Sequence, residues 1–129
     1  MNKAEIIEII DEYLCAFNSG DFSQVQFSSQ LNFISPLREE PIVGNDIIIG
    51  FLSDVSTRVE SVNIIEHIID YPMACSLFEF TTNKGDVLTL LDYFRFDEEG
   101  IALIWPCFDP KPLIANPLLL PEFLTGKVK

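Results

Sequence analysis

The stretch VLTLLDYFRFDEEGIALIWPCF, Val87 to Phe108, decides the fold. Residues two apart on a strand lie on one side of the sheet, so Leu88, Leu90, Phe94 and Phe96 share a face, with Asp92 in its middle. Glu98-Glu99-Gly100 breaks the run, and Ile101 to Phe108 follows as a second extended segment. Upstream, Val62 to Tyr71 and Met73 to Thr82 are two more. Tyr71-Pro72 separates them, and the Asn83-Lys84-Gly85-Asp86 turn precedes Val87. Four extended segments joined this closely predict an antiparallel meander.

The front of the chain has a different period. From Ala4 to Phe17, Ile6, Ile10, Tyr13 and Phe17 recur at helical spacing with Glu5, Glu8 and Glu12 on the other side, which predicts an amphipathic helix ended by Asn18-Ser19-Gly20. Asp21 is placed to cap a second, shorter helix from Phe22. Leu31 to Ser35 alternates as a short strand ended by Pro36, and Leu37 to Gly44 is a polar loop. Asn45 or Asp46 then caps a third helix whose inner face holds Ile48, Phe51, Leu52 and Val55. Helices in front and hairpins behind imply an α+β domain, with the helices packed on one face of a curved antiparallel sheet.

At 129 residues the chain fits one domain, with a core spanning about 4–110 and a proline-rich apolar tail, 111–129, that is expected to dock over a cavity mouth or a partner. The 48% hydrophobic content and 11 phenylalanines suit a globular fold with a large apolar interior. A net charge of -12 repels phosphate backbones and anionic bilayers, so nucleic acid and membranes are poor partners. The opening MNKAEIIEII carries acids inside its apolar run, unlike a secretory signal. Cys15, Cys75 and Cys107 are odd in number and lack CxxC spacing, as expected of reduced core thiols in a cytoplasmic protein. The lone His67 excludes a histidine-rich metal site within one chain, and no cofactor is expected.

YLCAFNSGDF (Tyr13 to Phe22), NFISPLREEPIVGNDIIIGFL (Asn32 to Leu52), LLDYFRFDEEG (Leu90 to Gly100) and PCFDP (Pro106 to Pro110) follow one another in an order that resembles the nuclear transport factor 2-like superfamily. Within it the chain is most similar to the SnoaL-like polyketide cyclases and the ketosteroid isomerases. The resemblance implies a cone-shaped, cystatin-like fold, a bent sheet around the helices with an apolar pocket at its open end. It also implies a homodimer formed through the outer sheet face. Such a pocket suits a small apolar or aromatic molecule.

By the same resemblance, Tyr13 falls where the isomerases keep the tyrosine of their oxyanion hole, and Asp92 where they keep a hydrogen-bonding carboxylic acid. Their general base would precede the proline after the first strand, where ISPL has Ser35. A serine hydroxyl without a paired base is too weak to take a proton from carbon. Glu39 or Glu40 in the next loop, or His67 acting with Asp92, is a possible substitute.

Physical reasoning isolates Asp92 independently. A carboxylate on an apolar face must be hydrogen-bonded, protonated or beside a cavity, or else must tie down a loop or pair with a cation such as Arg38. The expected wall of the pocket is Phe17, Phe33, Ser35, Phe51, Leu90, His67, Phe94 and Trp105, with Tyr13 and Asp92 as its chemical groups. Three functions fit: isomerase-like or cyclase-like proton transfer, a non-catalytic ligand carrier or sensor, and a protein-interaction module. Tyr93 and Arg95, on the opposite strand face, suit a subunit interface.

Overall fold

A computed structural model describes residues 1–108. Its elements are α1 (Lys3–Ser19), β1 (Phe27–Phe33), β2 (Ile42–Val43), α2 (Asn45–Ser56), β3 (Val59–Asp70), β4 (Met73–Thr82), β5 (Val87–Phe96) and β6 (Ile101–Cys107). The tail lies outside the described residues.

α1 begins with a capping box: the Asn2 side chain accepts from the Glu5 backbone N–H, and the Glu5 carboxylate accepts from the Asn2 N–H. Gly20 closes it in the left-handed conformation, φ 78, donating its N–H to the Ala16 carbonyl. The helix expected from Phe22 does not form. Only seven residues separate α1 from β1, and Asp21 instead accepts from the Ser23 N–H, which closes a tight turn; the Ser23 side chain, and then this N–H, hold its carboxyl below the usual range. α2 buries Ile48, Phe51 and Leu52 as expected, but its N-cap is Gly44. The Asn45 amide donates to the Ser28 carbonyl, which fastens α2 to β1.

The six strands form one sheet in the order β2-β1-β6-β5-β4-β3. β3 to β6 are the expected meander, each pair antiparallel. The first strand is longer than its sequence pattern implied and lies parallel to β6. Gly100 sets that junction. Its φ is 146, and a Cβ there would fall 2.2 Å from the Gln26 carbonyl oxygen, while the next N–H, of Ile101, donates to that same oxygen.

α1 and α2 pack on the concave face. Inward residues of β4 (Ala74, Phe78, Phe80) and β5 (Leu90, Phe94, Phe96) meet Ile6, Ile10, Tyr13, Leu14 and Phe17 of α1 in one core. Cys75 is half-buried, and Cys15 and Cys107 are exposed free thiols, so the cysteines are not the core residues expected. Among the described residues no helix is long and apolar enough to cross a membrane, and no acidic, histidine and cysteine side chains group as metal ligands would.

Candidate functional site

A cavity opens between the concave sheet face and the helices. The space open to the centre of a water molecule is about 70 Å³, room for several waters in a narrow slot. Phe17, Phe33, Phe51, Phe78, Phe80 and Leu90 make most of its wall, with Tyr13, Ser35, Arg58, Thr82 and Asp92 as its polar groups.

Asp92 is 2% exposed, and its Oδ1 has no hydrogen-bond partner among the described residues. Alternation along β5 turns it inward between Leu90 and Phe94, opposite Ser76 on β4 and Pro106 on β6. Loss of water pushes its carboxyl up to about 8. It is therefore mainly a neutral acid at pH 7 and below, able to donate a hydrogen bond into the cavity. Among the described residues it makes no hydrogen bond that ties down a loop and no ion pair with Arg38, the alternatives open on sequence alone.

Tyr13 reaches the same cavity from α1. Its ring is held edge-on by Phe17 at 5.4 Å and Phe94 at 5.7 Å between centroids. Burial raises its phenol well above the ordinary value, and the nearby Asp92 adds to this whenever it is charged. Two neutral O–H groups thus face one apolar space. Ser35 lines it too, but its hydroxyl accepts from the Leu37 N–H and so serves the turn after β1.

Three expected wall residues lie elsewhere. Phe94 is fully buried behind the Tyr13 ring, in the core instead of the cavity wall. Trp105 points to the outer sheet face, 42% exposed and edge-on to Tyr93 at 6.3 Å. His67 faces inward on β3, outside the cavity lining, where its Nδ1 meets Ser76 Oγ and its Nε2 meets Asp11 Oδ1, each at 2.7 Å. Glu39 and Glu40 are exposed on the loop and do not line the cavity. Sequence reasoning passed over Arg58, Thr82, Phe78 and Phe80, which it placed on no face; the alternation of β4 would have aimed the last three inward.

The family model described as Domain of unknown function (DUF4904) matches residues 1–129. The chain belongs to this family. No curated protein matches the sequence. Among solved structures, a de novo designed protein with a curved β-sheet superposes with a TM-score of 0.81 at 15% identity, over 99% of this chain and all of that one. An NTF2-like protein of unknown function from Cytophaga hutchinsonii ATCC 33406 gives 0.70 at 14% identity, over 84% and 94%. A steroid delta-isomerase from Pseudomonas aeruginosa gives 0.72 at 18% identity, over 97% and 91%. At these identities the likeness is one of fold: the chain has the α+β, curved-sheet fold of NTF2-like proteins.

Proposed function

We propose that the protein binds a small, flat, mainly apolar molecule through a carbonyl or phenolic oxygen, with Asp92 as neutral hydrogen-bond donor and Tyr13 as the second. The observation that carries this is the unpartnered Oδ1 of a fully buried carboxyl on an apolar cavity wall. Leaving such an atom without a partner costs about 1–3 kcal/mol, a cost that a bound oxygen repays and that packing alone does not explain. The SnoaL-like and isomerase resemblance supports the same ligand class, as does the fold shared with a steroid delta-isomerase.

Turnover is the second reading, favoured by the value near 8, which lets Asp92 both give and accept a proton close to neutral pH. In that reading Asp92 is acid and base in turn while Tyr13 steadies an enolate, because no other described group on the wall is a base. We further propose a homodimer through the outer sheet face, where Ile68, Leu91 and Trp105 are exposed.

Calorimetry with 2-naphthol and a panel of bicyclic ketones tests the binding. The wild type should bind members of the panel, Asp92→Asn should weaken them by about tenfold, equivalent to roughly 1.4 kcal/mol, and Leu90→Trp should close the slot. Binding that neither variant changes, or none across the panel, would refute the reading. Product from an enolisable ketone, lost in Asp92→Asn, would establish turnover.

A further inference from the structure

A row of polar side chains runs from Asp92 to the surface on the side of the molecule formed by α1 and β3. Ser76 of β4 is the direct cross-strand partner of both Asp92 on β5 and His67 on β3. A bulge at Ile65 makes this possible: Ile64 pairs with Phe78 and Glu66 with Leu77, so the extra residue turns His67 onto the inner face with Val62 and Ile64. Asp11, two residues before Tyr13 on α1, then meets the ring at Nε2. Exposure rises along the row, from Ser76 at 0% and Asp92 at 2% to the side chains of His67 at 12% and Asp11 at 47%.

The hydrogen bonds in the row have one direction. The half-exposed Asp11 carboxylate accepts, so a neutral His67 ring bonded to it carries its hydrogen on Nε2 and its lone pair on Nδ1. In that tautomer Ser76 donates its hydroxyl hydrogen to Nδ1. This leaves the Ser76 oxygen as an acceptor with free lone pairs, on the position directly opposite Asp92, whose Oδ1 is the one buried side-chain polar atom without a partner among the described residues. Directly opposed residues on neighbouring strands have Cβ atoms about 4.5–5.5 Å apart, close enough for a small side-chain rotation or one water to join them.

We propose that Ser76, His67 and Asp11 form a proton path between Asp92 and the solvent, so that the cavity acid is loaded and unloaded from behind while a ligand fills the slot in front. The proposal rests on Asp92 being the neutral donor of the site. In unloading, the Asp92 proton passes to Ser76 Oγ as the Ser76 proton passes to His67 Nδ1. The Nε2 proton then moves to Asp11 and on to water, leaving an Asp92 carboxylate and a neutral ring; loading is the reverse, and no bond between heavy atoms changes. His67 and Ser76 are thus positioning and relay residues, with no contact to the ligand.

Stopped-flow infrared spectroscopy on the intact chain reads this without any ligand when Leu90→Trp, present in every protein compared, closes the slot in front. The carbonyl band of a protonated carboxyl, assigned by its loss in Asp92→Asn, is followed after a jump from about pH 6 to about pH 10, either side of the Asp92 transition. His67→Gln keeps a hydrogen-bonding side chain but cannot shuttle a proton, and Ser76→Ala removes the adjoining hydroxyl; each should slow the loss of the band by about tenfold or more. Asp11→Asn, at the surface, should slow it with the fold untouched. Equal rates in the Leu90→Trp parent, His67→Gln and Asp11→Asn would overturn the path while leaving the donor role of Asp92 standing. A wild type with no such band near pH 6 would overturn both.

Discussion

Asp92 carries a stability cost that its environment makes measurable. Its folded value of about 8 lies above the value near 3.9 of an unfolded chain. Below the lower value both states hold the proton and its titration adds no pH dependence to stability. As pH rises from about 4 to about 8 the unfolded state ionises and the folded state does not, so the unfolded chain binds fewer protons and stability falls with pH. Urea unfolding of the wild type should therefore show a decline across that window that Asp92→Asn removes, and at pH 7 the variant should be more stable by about 1–3 kcal/mol. A variant of equal or lower stability, with the same pH slope as the wild type, would contradict a buried neutral acid. Asp92 was legible in the sequence because strand alternation is strict there. His67 was expected on the wall and does face inward, but Ser76 and Asp11, partners brought together only by the fold, hold its ring outside the cavity lining. Phe94 and Trp105 failed as wall residues for different reasons: Phe94 shares the inner face but is covered by Tyr13, and Trp105 has the outward parity.

At the scale of elements, the junction of β1, β5 and β6 is the least forgiving. Gly100 lets the β5–β6 turn approach Gln26 so closely that the Ile101 N–H reaches the Gln26 carbonyl, and the Gln26 amide donates to the Glu99 carbonyl. Gly100→Ala would drive a Cβ into that backbone oxygen and hold a non-glycine residue at φ 146. It should lower the midpoint of urea unfolding by the equivalent of about 2 kcal/mol or more; an unchanged midpoint would mean that the junction relaxes freely. The meander and the two long helices were legible because each has a sustained period and turn residues at its ends. β2, two residues long, and the parallel pairing of β1 with β6 were not, since both depend on chain-distant partners. The expected helix after Asp21 rested on a cap signal alone, and an aspartate closes a turn as readily as it starts a helix.

For the whole molecule, two faces divide the work. The concave face holds the core and the cavity, and the outer face exposes Ile68, Leu91 and Trp105 beside Tyr93. Sedimentation velocity should find a dimer in the wild type and a monomer in Leu91→Arg, with secondary structure unchanged by circular dichroism; a monomeric wild type would remove the proposed interface. A net charge of -12 gives the surface a field that favours neutral or cationic small molecules over anionic ones. The cone itself was legible from element order, while the slot was not, because a cavity is what packing leaves unfilled and no sequence position encodes it. What unites the two scales is one protonated carboxyl at the wall of that slot. Carbon-13 NMR titration of the aspartate carboxyls, with Asp92 assigned by its absence from Asp92→Asn, tests this most directly. The account predicts a transition at about pH 8; a transition near pH 4, the ordinary range of an aspartate, would contradict it.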